Sequence, residues 1–182
     1  MYLRDPHTPR LTIRPLTMAD VPAWAEFFTD NPALQFLGLD NSWTPEEHAT
    51  IWIERQLGRY RNGHGQLALT DKANGAFVGQ CALLFQEYDG RTDIEVGYHI
   101  LPRLQGRGLA TEAATHFRDC AFNGLIDGPM SSRIGDSLIS MIHIDNVRSQ
   151  RVAEKNGMQR TVQTTFHDLP IYIYRGYKPN AL

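Results

Sequence analysis

Two dipeptides constrain the fold more than any other feature of this chain. Asn74-Gly75 and Asp89-Gly90 each stand between runs rich in apolar, β-branched and aromatic residues. Both are hairpin chemistry, because their residues accept positive φ. The runs they separate, residues 66–70, 77–88 and 92–101, therefore read as an antiparallel meander of three strands.

Other elements surround the meander. Residues 11–16 (LTIRPL) alternate Leu11 and Ile13 against Thr12 and Arg14, a strand that Pro15 marks as an edge or an ending. Val21, Trp24, Ala25 and Phe28 recur at helical spacing, which predicts a helix from Thr17 or Met18 to Phe28, stopped by Asn31-Pro32. Thr44-Pro45-Glu46-Glu47 is a capping box with proline at the first helical position, and the helix it opens runs to about Arg61 before Asn62-Gly63. Past the meander come a helix from Gly108 to about Phe122, a strand at 137–143, a helix capped by Asp145 or Asn146 and ending at Lys155, and strands at 158–166 and 171–177. Asn123-Gly124 and Asn156-Gly157 suit helix C-termini. The pattern is α+β or mixed α/β, and with no repeat or linker in 182 residues it predicts a single domain over residues 1–182.

Composition removes several function classes. The 18 basic and 20 acidic residues give a net charge of −2, with no cationic stripe of the kind a nucleic-acid binder needs. No apolar run approaches the roughly 20 residues that span a bilayer. Cys81 and Cys120 lack CxxC spacing and read as small core residues in a reducing, cytoplasmic compartment. The histidines are scattered without HxxxH or clustered cysteines, so no metal is expected.

The junction before the third helix, Arg103-Leu104-Gln105-Gly106-Arg107-Gly108, carries the chemistry. Glycines let the backbone approach a ligand, while free N–H groups and the positive helix end attract an anion. A diphosphate fits there, and so does a plain tight turn with solvated arginines. A P-loop is excluded because no Gly-Lys pair occurs in the chain. A dinucleotide fingerprint would need a third glycine where Thr111 stands, and a parallel βαβ start in place of the meander.

A second motif gives the first its meaning. Arg103-x-x-Gly106-x-Gly108, extended by Leu109-Ala110-Thr111-Glu112-Ala113, is followed by Asn146-Val147-Arg148-Ser149 and then by Val152-Ala153-Glu154-Lys155-Asn156-Gly157-Met158. In that order the two resemble the GNAT superfamily of N-acetyltransferases, in its RimJ/RimL-like branch. The opening Leu11-Thr12-Ile13-Arg14-Pro15-Leu16-Thr17 and the closing residues 167–177 fit as well, so the resemblance covers nearly the whole chain.

The resemblance implies a GNAT fold: a central, mostly antiparallel seven-stranded sheet flanked by about four helices, with a V-shaped opening between the strands at 92–101 and 138–143. Acetyl-CoA would lie in that opening. Its arm would pair with backbone at Ile100 and Leu101, and its diphosphate would sit on the amides of Gln105, Gly106, Arg107 and Gly108, with Leu109 and Ala110 continuing the site and Arg103 and Arg107 adding charge. Asn146 would hold the arm, with a helix cap as its competing role. Acetyl transfer to an amine needs a base, a polarised carbonyl and a donor for the leaving thiolate. Glu95 is the candidate base, an ordinary structural carboxylate being the alternative, and His99 shares its strand face. Ser149, three residues beyond Asn146, is the candidate donor, since the tyrosine many relatives carry in that helix is missing between Asn146 and Gly157. The acceptor, a protein amino terminus or a small amine, is not readable. The glycine- and serine-rich segment at 126–137 reads as a surface insertion that could also shape the cleft or a homodimer contact. Two rival readings remain, a CoA-binding module without catalysis and a nucleotide-dependent oxidoreductase.

Overall fold

The computed structural model describes residues 2–39 and 42–179. Its elements run β1 (Tyr2–Leu3), β2 (Leu11–Pro15), α1 (Val21–Ala25), α2 (Pro45–Tyr60), β3 (Gly65–Asp71), β4 (Phe77–Tyr88), β5 (Arg91–Ile100), α3 (Leu109–Phe122), β6 (Ile126–Asp127), β7 (Ser137–His143), α4 (Val147–Lys155), β8 (Gln159–Phe166) and β9 (Leu169–Tyr177). Seven strands form one sheet in the order β2-β3-β4-β5-β7-β9-β8. Neighbours are antiparallel throughout except β5 and β7, which run parallel. This is the expected mixed α/β class with a mostly antiparallel seven-stranded sheet and four α-helices.

The meander forms where its turns predict it. Tyr88 pairs with Arg91 across a two-residue turn in which Asp89 and Gly90 take φ of 47° and 71°, the positive pair that matches strand twist. At the start of α2, Thr44 Oγ1 accepts from Glu47 N at 3.2 Å and Glu47 Oε2 accepts from Thr44 N at 2.7 Å, the reciprocal capping box.

Two expectations need correction. The first helix is broken into 3-10 turns at Met18–Asp20 and Glu26–Phe28 around a five-residue α1. Pro22 has no N–H to return to the preceding turn, so a continuous ladder cannot form. The segment at 126–137 is not a plain surface insertion, because β6 pairs with β1 and the side chains of Ile126 and Met130 are buried in the main core.

Each face of the sheet is covered differently. Val96, Ile94 and Ile100 of β5 pack beneath α3 with Phe117 and Ala113, while Trp24, Phe27 and Ile53 gather α1 and α2 on the opposite face. Both cysteines are buried and free. Among the described residues no helix is long and apolar enough to cross a membrane.

Candidate functional site

β5 and β7 pair at Glu95 and Ile139 alone among the described residues. Beyond that point they part, and a cleft of about 950 Å³ opens between them, at the upper end of the range for small-ligand sites. Strand alternation decides which groups of β5 face the gap. Leu101 N donates to Val78 O at 3.0 Å, so odd-numbered backbone groups turn to β4 and even-numbered ones, at Tyr98 and Ile100, turn to the gap. Val96 O, where the strands still meet, accepts from Ser140 Oγ at 2.7 Å. Ile100 lines the cleft, and its carbonyl accepts from Gln105 Nε2 at 3.0 Å. The structure does not bring Leu101 there: its carbonyl accepts from Leu104 N and its side chain is buried beside Trp24.

The glycine loop forms the floor of one end. Gly106 and Gly108 both adopt φ of 78°, and a Cβ placed on Gly106 would meet nothing within 4 Å. Gly108 caps α3 without any side-chain hydrogen bond, and Glu112 N is the amide that returns to Gly108 O. The amides of Leu109, Ala110 and Thr111 therefore precede the helix's own hydrogen bonding, at its positive end. A negatively charged group fits this open, uncapped cradle. Gln105, Gly106, Gly108, Leu109 and Ala110 all line the cleft. Arg103 instead pairs with Glu26 at 2.8 Å, and Arg107 reaches back to Arg103 O at 3.4 Å, so neither side chain is among the lining.

Glu95 sits where the strands diverge, 8% exposed. Its Oε2 accepts from Gln86 Nε2 at 2.5 Å and its Oε1 from Met141 N at 3.2 Å. Burial raises its pKa above the ordinary value, against the opposing effect of those two donors and Arg59. A carboxylate has about four acceptor positions, so two remain after these bonds. His99, two strand repeats away, is ringed by Trp24, Phe27 and Trp52, and burial lowers its pKa to about 4, leaving it neutral. Trp52 Nε1 donates to Gln80 Oε1 at 3.0 Å and at 3.3 Å to Gln66 Oε1, and Gln66 Nε2 lies 3.4 Å from His99 Nδ1. Burial thus makes this ring a poor base.

On the other face, Tyr98 and Ser149 meet. Tyr98 Oη donates to Ser149 O at 3.0 Å, and Ser149 Oγ lies 3.2 Å from Tyr98 Oη. Burial pushes the Tyr98 phenol up, which keeps its proton in place at neutral pH. Asn146 accepts from Ser149 N at 3.2 Å and so caps α4, while also lining the cleft.

A family profile described as acetyltransferase (GNAT) domain matches residues 10–159. The chain belongs to the GNAT acetyltransferase family. It is 36% identical over 104 residues to Uncharacterized protein YkkB of Bacillus subtilis, a stretch covering 57% of this chain and 56% of that relative's length, little more than half. An acetyltransferase from Agrobacterium tumefaciens superposes over 97% of both chains with a TM-score of 0.73 and 27% identity. Mycobacterium smegmatis RimJ in complex with CoA-disulfide shares the fold at a TM-score of 0.70 and 17% identity, over 97% of this chain and 90% of that one.

In this GNAT chain three cleft-lining cations escaped the sequence reading: Arg148, Arg151 and Lys155 of α4. Their spacing of three and seven residues puts them on one helical face, a signal that was available. The Tyr98–Ser149 contact, 51 residues apart, carried no local signal. Nor did Arg10, whose Nε meets Glu112 Oε2 at 2.6 Å and whose Nη1 donates to Arg107 O at 2.9 Å.

Proposed function

We propose that this protein is a single-domain N-acetyltransferase that moves the acetyl group of acetyl-CoA to a primary amine, on a small molecule or a protein amino terminus, by direct attack with both substrates bound. The observation that carries the reading is the parting of β5 and β7, which joins the uncapped, glycine-cradled start of α3 to the buried carboxylate of Glu95 through one cleft. Its two free, buried cysteines suit a reducing cytoplasm.

The residues divide the work. Amides of Gly106 to Ala110, with Arg148, Arg151 and Lys155 nearby, hold the diphosphate end, and gap-facing backbone at Tyr98 and Ile100 holds the arm. Gln105 yields the Ile100 carbonyl on binding. Asn146 offers its amide to the arm while its oxygen caps α4. Glu95, directly or through one water, takes the proton the amine gives up as its nitrogen attacks the acetyl carbon; the C–N bond forms, the C–S bond breaks, and Ser149 Oγ, turning from Tyr98 Oη, donates a hydrogen bond to the departing thiolate, which takes its proton from solvent as Glu95 returns its own. The balance is an amine and a thioester consumed, an amide and a thiol formed.

Acetyl-CoA turnover with a panel of amines tests the reading. Acetyl-CoA bound without thiol release from any acceptor would favour a non-catalytic CoA-binding module, and stabilisation by NAD but not acetyl-CoA would favour an oxidoreductase. A second experiment probes the loop's brace. Arg10→Met should weaken acetyl-CoA binding roughly tenfold, because the Glu112 charge beside the diphosphate cradle loses its partner, while kcat at saturation is retained. Calorimetric titration measures the first and steady-state kinetics the second; Arg10→Lys should recover part of the affinity.

A further inference from the structure

The cleft has two chemically different walls. On the α3 and α4 side stand the glycine amides and the cations Arg148, Arg151 and Lys155. On the α1 and α2 side the lining is Phe27, the turn of helix at Pro32–Phe36 with Leu37, and Met141 and His143 of β7. This second wall is mostly apolar. The rings of Phe36 and His143 meet at a tilt of 32° with centroids 4.9 Å apart and so tie the Pro32–Phe36 turn to β7.

Charge on that wall is sparse. Glu95 is its one buried acid, and Asp145, 75% exposed, is the remaining acid of the lining. Arg59 lies near enough to Glu95 to act on it electrostatically, and His99, packed against the aromatic rings, is neutral. One carboxylate can compensate one ammonium. A second or third ammonium would enter an apolar wall unpaired and lose its hydration without compensation. A polypeptide amino terminus would bring backbone N–H and C=O groups that the side chains of Phe27, Phe36, Leu37 and Met141 cannot satisfy, and its bulk would part the Phe36–His143 contact.

Resting on the acetyl-transfer reading, we propose that the acceptor is a small primary amine with a single positive charge and an apolar body of about one ring, seated against Phe27 and Phe36 with its nitrogen at Glu95. Polyamines and polypeptide amino termini are the wrong class for this wall.

The test uses the full chain, with acetyl-CoA affinity measured first by calorimetry. Thiol release is then compared for 2-phenylethylamine, spermidine and a short peptide with a free amino terminus. The expected kcat/KM for 2-phenylethylamine exceeds the other two by roughly tenfold or more, since one buried ring contributes that much to recognition. Phe36→Ala should raise KM for 2-phenylethylamine by about tenfold with acetyl-CoA affinity retained, and Phe36→Leu should fall between. Spermidine or the peptide as the best acceptor overturns the acceptor class and leaves acetyl transfer standing. Acetyl-CoA bound with no release from any of the three overturns both.

Discussion

Glu95→Gln is expected to lower kcat by roughly 10²- to 10⁴-fold, the usual contribution of a positioned base, with acetyl-CoA affinity unchanged. The substitution keeps the shape of the side chain and its place at the divergence of β5 and β7, and it removes the group able to take a proton there. His99 is a poor replacement, because burial lowers its pKa to about 4 and so disfavours its taking up a proton. The pH profile separates a base from a merely structural carboxylate. Burial raises the Glu95 pKa, so the acidic limb of wild-type kcat/KM should lie above the ordinary carboxylate range and vanish in the variant. Stability moves the opposite way. A folded-state pKa above the unfolded value means that Glu95 contributes fully below the unfolded carboxylate pKa and that this contribution is lost as pH rises through the folded value. The Gln variant lacks that loss, so thermal unfolding followed across pH should show its relative stability improving on the alkaline side. Unchanged turnover with an unchanged acidic limb would remove Glu95 from the mechanism.

What the sequence disclosed follows from how local each cause is. The β4–β5 hairpin was legible because Asp89 and Gly90 alone decide the turn, and α2 because Thr44 and Glu47 satisfy each other three residues apart. The glycine cradle was legible for the same reason: positive φ at Gly106 and Gly108 is a property of two residues and the helix start they precede. The broken first helix was not, since the apolar spacing of Val21, Trp24, Ala25 and Phe28 is the same whether the turns between them are α or 3-10. Leu101 was expected at the cofactor because it lies at the strand end, but facing is set by parity, and parity is fixed by the β4 register that Val78 imposes. Long-range contacts were further out of reach. Nothing near Ser149 announces Tyr98, nothing near Arg107 announces Arg10, and the pairing of Leu3 with Ile126 joins two segments each too short to read as strands.

Gly106→Val should abolish measurable acetyl-CoA binding, a loss of at least roughly 100-fold in affinity, while the chain still folds. The argument has two parts because the substitution acts on the backbone and on the ligand. At φ of 78° a β-branched residue is strained, at a cost of about 1–2 kcal/mol, which for a chain of this size corresponds to a fall in Tm of a few degrees. No larger penalty follows, since a Cβ at this position meets nothing within 4 Å of the protein. The same open space is where an anion must sit to reach the amides at the start of α3. A valine side chain fills it and holds the anion off. Losing even two hydrogen bonds to a charged group, at about 1.5–3 kcal/mol each, accounts for the 100-fold or greater loss. Gly106→Ala separates the two effects: its strain is smaller, yet its methyl group projects into the same space, so affinity should fall further than stability. If calorimetry finds both variants folded and binding acetyl-CoA as the parent does, the diphosphate does not rest on this loop, and the cations of α4, Arg148, Arg151 and Lys155, become the place to look for it.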